Sequence, residues 1–516
     1  MTSRDRQKTG SANDGRKNRA AEIANTFEWL ITAFILAFLF RAFVMEAFRI
    51  PTGSMADTLK GAHFRLRCLQ CGYKYDYGLG NYRIPRDTIP RGYITPMSSR
   101  CPSCGWFQQT GGHMPVSNGD RILVLKCIYQ FFEPKRWDVV VFKNPTEPTI
   151  NYIKRLVGRP GETIEIIDGD VYVNGRISRK PPKVQSELWM PVYDNDYQPI
   201  QPRAVFFNNH PWVQPFENVG NSQWDINETD PITFRLNSPA DQINTVIYNS
   251  GVGNNFRATY AYDDIKEYNY LPFCSDLMVR FYARFNDSKG LVGIQLSKYG
   301  VNYKAWCDAA GEMVVAKVAG DTERPLKRQS RKRPVKDEPA LVRFANVDHV
   351  LIFEFGREKL VCDLGRGPDD AGPRDTDVQP EVKIFGAGAL TLSNVAIYRD
   401  IHYTNKKYAN SSQSGRGTEG HPFKLEDDEF FVFGDNSPNS EDSRWWSSEG
   451  IGNNDITYRQ GIVPRDYLVG KALFVYWPSG FRPHPRFPLG LIPNVGQMRF
   501  IYGGSAHTET VSAGQN

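Results

Sequence analysis

The chain has 516 residues, of which 40% are hydrophobic and 23% charged, and its mean hydropathy is −0.48. At roughly 150 residues per domain this predicts several domains, and it excludes a disordered, collagen-like or polytopic membrane chain. Eight Cys are too few for a disulfide-built scaffold, and much of the net charge of +6 comes from Arg4, Arg6, Lys8, Arg16, Lys17 and Arg19, opposed only by Asp5 and Asp14 within the first twenty residues.

After this basic start, read as a tail over 1–26, comes Phe27–Met45, FEWLITAFILAFLFRAFVM, whose only charges are Glu28 and Arg41. Nineteen helical residues span roughly 28 Å, about one bilayer core. The strictly uncharged part, 29–40, is short enough to be the core of a cleaved signal peptide, but the bulky RAFVMEAFRIP that follows lacks an A-x-A site. The segment is therefore expected to be an uncleaved anchor in the membrane lipid. Basic residues before it predict a cytoplasmic N-terminus and an extracytoplasmic remainder, in a single-pass protein of the cell (inner) membrane.

The first stretch beyond the anchor, 60–117, holds Cys68-Leu-Gln-Cys71-Gly and Cys101-Pro-Ser-Cys104-Gly, 29 residues apart. Paired knuckles of this form suit one tetrahedral structural zinc, giving a zinc-ribbon-like insertion, with disulfides as the alternative outside the cell. Four Cys would leave a metal no open position for catalysis. Cys127, Cys274, Cys307 and Cys362 are expected to be buried thiols.

From 116 to 174 short alternating runs (DRILVLK, DVVVFKN, NYIKRLV, ETIEII, DVYVNG) predict antiparallel strands, and similar text returns in EFFVFGDN and YLVGKALFVYW. Between them, 183–404 has its own run of alternating segments, LMVRFYARF, GLVGIQLS, EMVVAKV, DHVLIFEFG, EKLVCDL and LSNVAIYRDIHY. These predict an inserted β-sandwich that divides one catalytic domain into 46–182 and 405–502. The seven Lys and Arg of 324–336 are read as a solvated loop or a polyanion contact. A Ser/Gly-rich linker is expected at 411–420 and a flexible tail at 503–516.

Three segments bear chemistry: IPTGSMADTL at 50–59, YIKRLVGRPGE at 152–162 and GDNSPNSEDSR at 434–444. A Ser hydroxyl becomes a competent nucleophile beside a base, and a Lys kept neutral by burial can serve as that base. Lys154 lies between apolar neighbours on an expected strand, where alternation points Lys154 to one face and Arg155 to the other, so that one of the two can be inward while its neighbour is solvated. There is no H-E-x-x-H and no G-x-S-x-G, and His63 is read as a turn or surface residue.

In their order after an anchor, the three segments resemble the boxes of type I signal peptidases, membrane-bound Ser/Lys serine endopeptidases. The resemblance implies Ser54 as nucleophile and Lys154 as general base, and an oxyanion hole from the Ser54 backbone N–H and the Thr52 hydroxyl. It further implies Ser440 orienting the Lys, Asp442 and Arg444 as a supporting ion pair, and Met55 in the position after the nucleophile. Asp57 stands where the family usually has Pro, and Glu162 where it has Asp. The implied function is removal of signal peptides from exported preproteins after small residues at −1 and −3, with no cofactor for catalysis and no nucleic acid partner. The expected fold class is mainly β: an N-terminal transmembrane helix, a signal-peptidase-type antiparallel catalytic domain, the ribbon, and a sandwich weakly similar to jelly-roll, concanavalin-like folds. That sandwich is read as a spacer or as the site of a protein or carbohydrate ligand.

Overall fold

The computed structural model describes residues 11–79, 97–110, 116–200, 206–207, 210–227, 230–263, 271–320, 322–374, 376–407, 414–452, 456–480 and 494–504. Most of the expected tail at 503–516, the first ten residues of the basic start and part of the 411–420 linker lie outside these residues. The chain is mainly β, with one long N-terminal helix.

The helix Ser11–Leu39 continues through a π turn at Phe40–Val44. Its stretch Glu22–Val44 is long and apolar enough to cross a membrane, and none of that window is buried among the described residues. It passes without a linker into the strand Met45–Arg49. That strand is the edge of an antiparallel sheet ordered Met45–Arg49, Arg121–Leu125, Leu468–Trp477, Val139–Asn144, Glu147–Gly158, Glu429–Phe433, Val463–Pro464. Residues from both sides of the long interruption therefore interleave in one sheet.

The inserted sandwich is built around two long strands, Leu277–Lys298 and Val382–Arg399, which pair along most of their length. The first half of Leu277–Lys298 pairs on its other edge with Ala340–Val347, and the second half with Val301–Asp308. Two branches thus fold over one another, joined where Lys327 Nζ donates to Val361 O at 3.0 Å. Alternation sets the inner face: Leu277, Val279, Phe281, Ala283 and Phe285 are buried, whereas Arg280, Tyr282 and Arg284 point outward. The basic stretch is not simply a loop, because Thr322–Ser330 pairs as an exposed edge strand with Glu312–Ala319. Entry and exit lie side by side, since Met190 pairs with Arg399.

A buried charge cluster joins the sandwich to the strand Asp170–Val173 outside it. Asp170, Asp276, Asp348 and Asp400 converge, with Lys180 paired to Asp348 and, at 2.9 Å, to Asp400. Lys298 pairs with Asp276 and lies 3.8 Å from Asp170. Burial acts to lower both lysines, but the carboxylates around them outweigh it and hold each well above its ordinary value.

Candidate active site

The loop after Met45–Arg49 carries Ser54 and is closed tightly at its base. Ile50 N donates to Asp120 O at 2.8 Å and Asp120 N to Lys60 O at 2.8 Å, while Lys60 N donates to the Asp120 carboxylate at 3.0 Å. Glycine is required at 119 and 61, because a Cβ would strike the Ile50 carbonyl at the first and the Thr52 backbone at the second. Within the loop Ala56 N donates to Gly53 O at 3.0 Å and Leu59 N to Met55 O at 2.7 Å. Met55 and Ile50 are buried in one apolar cluster with Leu59, Ile122, Val124 and Val139, so they underpin the loop. Thr52 is half-buried two residues before Ser54.

Lys154 comes from the strand Glu147–Gly158, opposite Val140. Its Nζ donates to Ser54 Oγ at 2.6 Å, and the residue is only 4% exposed. Burial pushes its ammonium down to about 8, against the upward pull of Asp442. The half-buried Tyr152 ring centroid lies 5.8 Å from Nζ. Its neighbour is not solvated either: Arg155 is fully buried and donates to both carboxylate oxygens of Asp435, at 2.8 and 2.6 Å. Alternation still places the two side chains on opposite faces, but both faces are covered.

The segment 434–444 closes the site from below. Asp442 and Arg444 form a wholly buried pair at 2.8 Å, and Gly434 N donates to Asp442 Oδ2 at 3.0 Å. Burial works to raise the Asp442 carboxyl, but Arg444 outweighs it and keeps the value low. Arg444 Nη1 also donates to Thr404 O and Ser437 Oγ. Ser440 is buried against Gly434, and among the described residues its hydroxyl makes no hydrogen bond to Lys154. A side chain on Gly434 would strike both Ser440 and the Ser54 carbonyl. Asn436 N donates to that carbonyl at 3.1 Å. Gly434, Asp435, Asn436 and the Gly119–Asp120 clamp were not singled out by the sequence reading. Their roles depend on contacts across the chain that local pattern does not encode.

His63 is corrected. It is fully buried in the strand His63–Arg67, where its Nδ1 lies 2.7 Å from Gly61 O, and burial lowers its pKa. The usual Pro position, Asp57, is held above the ordinary carboxylate range by burial. Glu162 accepts from Arg136 at 2.8 and 2.6 Å.

The four paired Cys meet. Cys68–Cys104 and Cys71–Cys101 sulfurs are each 3.6 Å apart, and all four lie within 4.8 Å of one another. The knuckles repeat one backbone pattern: Gly72 N donates to Cys68 O and Gly105 N to Cys101 O, at 2.9 and 3.1 Å. Gly72 and Gly105 have φ of 77° and 78°, the left-handed geometry that favours glycine. All eight Cys are free thiols; Cys274, Cys307 and Cys362 are buried, and Cys127 is half-buried.

The family described as "Signal peptidase, peptidase S26" matches residues 107–205 and 381–477. The signal peptidase I of Rickettsia canadensis is 32% identical over 151 residues, 29% of this chain and 43% of that protein. The signal peptidase I of Rickettsia prowazekii is 31% identical over 141 residues, 27% of this chain and 39% of that protein. The chain thus spans about two fifths of the length of these curated relatives. Among solved structures, the carbohydrate-binding module CBM66 from Bacillus subtilis aligns with 36% of this chain and 94% of its own, at 10% identity and a TM-score of 0.23. Sheep galectin-11 aligns with 25% of this chain and 92% of its own, at 12% identity and a TM-score of 0.19. The matched segments contain Lys154, Ser440, Asp442 and Arg444, and the strand Met45–Arg49 adds Ser54 to them. These segments are similar to the signal peptidase S26 family.

Proposed function

We propose that the chain is a membrane-anchored serine endopeptidase that removes signal peptides from preproteins after small residues at −1 and −3. The observation that carries this is the Ser54 hydroxyl 2.6 Å from a buried Lys154 amine, with the lysine pushed down to about 8. A substantial fraction of Lys154 is then neutral near physiological pH. The neutral amine takes the Ser54 proton as Oγ attacks the scissile carbonyl. The Ser54 N–H and Thr52 hydroxyl stabilise the resulting oxyanion. On collapse the C–N bond breaks, and the Lys154 ammonium returns its proton to the leaving amine. A water attacks the acyl-Ser54 ester, giving its proton to Lys154, which passes it to Ser54 Oγ as the ester C–O bond breaks and the signal peptide carboxylate is released. The Asp442–Arg444 pair fixes the segment that carries Ser440 beside the dyad.

In this reading residues 27–45 form a single-pass anchor in the cell membrane, 1–26 are cytoplasmic, and the catalytic halves 46–182 and 405–502 lie outside. The basic start supports that orientation. A preprotein reaches the cleft as an extended strand, so alternate side chains enter the enzyme, which accounts for small residues at −1 and −3 and freedom at −2.

Cys68, Cys71, Cys101 and Cys104 would hold one structural zinc. A tetrahedron with Zn–S of about 2.3 Å has edges near 3.8 Å, close to the 3.6 Å spacings of the thiols. The metal would fold the ribbon, with no part in peptide hydrolysis. Elemental analysis of purified protein should return about one zinc per chain; two disulfides and no metal would refute it.

The functional test is cleavage of a preprotein bearing an A-x-A site by the purified full chain. Efficient cleavage is expected, with a severe loss when Ala at −1 becomes Phe and little change at −2. Equal rates for −1 Phe and −1 Ala would replace this reading with a broader membrane protease.

A further inference from the structure

The inserted sandwich reaches the nucleophile loop. Its segment 256–263 is held at the base by Cys274 N donating to Phe256 O at 2.7 Å and Ala258 N to Pro272 O at 2.9 Å. From there Tyr260 Oη donates to Asp435 O at 3.1 Å. The Tyr262 ring lies over the Cα atoms of Gly53 and Gly78, so a side chain at either glycine would collide with it. Gly78 N donates to Tyr262 O at 2.8 Å, and Tyr262 Oη donates to Ala62 O at 3.3 Å. Next along the chain, Asp263 Oδ1 accepts from Asn436 Nδ2 at 2.9 Å.

Asn436 is the link to chemistry. The same Nδ2 donates to Gly53 O at 3.2 Å, while its backbone N donates to Ser54 O at 3.1 Å. Gly53 O belongs to the peptide plane that carries the Ser54 N–H, and Ser54 O belongs to the next plane. Fixing both planes fixes φ and ψ of Ser54. The direction of its Cα–Cβ bond and of its N–H is then set. An amide side chain can turn its oxygen where its nitrogen was, and that would aim Asn436 Oδ1 at the Gly53 carbonyl. A carboxylate accepts and does not donate, so Asp263 holds the amide nitrogen toward Gly53.

We propose that Asp263, supplied by the inserted sandwich, is a positioning residue of the catalytic centre, acting through Asn436 to orient the Ser54 hydroxyl and backbone N–H. The inserted domain is then a working wall of the site. This rests on the Ser54–Lys154 reading given above.

The test uses the purified full chain and a preprotein-derived peptide, with kcat, KM, the pH profile and Tm measured for wild type, Asp263→Ala, Asp263→Asn and Ser54→Ala. Asp263→Ala should lower kcat about 10-fold with KM changed less than about 2-fold, and leave the rising pH limb where it is in wild type. Asp263→Asn, which still offers an acceptor, should stay within about 3-fold of wild type. If Asp263→Ala does not fold, Asp263→Ser takes its place with the same expectation. Wild-type kcat in the Ala variant, or an equal loss in the Asn variant, would overturn the proposal. So would a displaced pH limb, which would mean that Asp263 acts on Lys154 by charge. Full activity in Ser54→Ala would instead overturn the dyad reading, and this inference with it.

Discussion

Among the described residues, Lys154, Lys180 and Lys298 are buried, and they come to opposite ends of the titration scale. Lys154, on the catalytic sheet, is pushed down to about 8. Lys180 and Lys298, in the cluster that joins the sandwich to Asp170–Val173, are held well above their ordinary value. Burial works downward on all three. What differs is the counter-charge: Lys180 touches Asp348 and Asp400 and Lys298 touches Asp276, whereas the contact of Lys154 is a neutral hydroxyl. The nearby Asp442 is occupied by Arg444. A dry site makes a base only if its carboxylates are already engaged.

The comparison breaks first, and with the largest effect, at the dyad. Lys154→Ala and Ser54→Ala should each lower kcat for preprotein cleavage by about 10³-fold or more, and the double variant should be little worse, since the two act as one unit. Normal turnover by Lys154→Ala would remove the lysine base altogether.

The second test strips the counter-charge from the other class. Lys180→Met leaves Asp348 and Asp400 buried without their ammonium, and should cost about 3–5 kcal/mol in denaturant unfolding. Below about pH 10.5, its ordinary value, the raised wild-type lysine contributes its full stabilisation, which is lost as pH climbs through the higher folded value. A variant as stable as wild type would show that the cluster is not ionised as described.

The smallest effect should come from converting one class toward the other. Wild-type kcat/KM should rise with pH, reach half its maximum near 8 and level off above it, because the reactive form of Lys154 is the neutral one and its folded value is about 8. Tyr152→Glu places a carboxylate where the ring now lies, 5.8 Å from Nζ at its centroid. That should hold the ammonium more tightly and move the limb upward by about one unit, equivalent to about 1.4 kcal/mol. Tyr152→Phe should leave the limb in place. A flat profile from pH 5 to 9 in wild type would count against a lysine base.

The parts of the fold that were legible in the sequence are those written in local pattern. The apolar run before Met45, the alternation of Leu277–Phe285 and the two C-x-x-C-G knuckles each state their geometry within a few residues. The order of the three chemical segments brought Ser54 and Lys154 together on paper, as the fold does in space. What was not legible are pairings between distant residues. Alternation leads one to expect one of Lys154 and Arg155 to be solvated, because nothing near Arg155 announces Asp435, 280 positions on. His63 reads as a turn or surface residue because Asp76 and the Gly61 carbonyl come to surround it only in the fold. The tie from Asp263 to Asn436 crosses 173 positions and joins an insertion to the segment it interrupts.

The order of strands has a consequence in time. The strand Leu468–Trp477 lies in the interior of the sheet that carries Lys154, between Arg121–Leu125 and Val139–Asn144, yet it follows the whole insertion in chain order. The sandwich, by contrast, has all of its strands once residue 399 has been made. As the chain emerges N-terminus first, the insertion can fold while the sheet around Ser54 still has a gap at its middle. A chain that stops before residue 468 therefore lacks an interior strand of the sheet that carries Lys154.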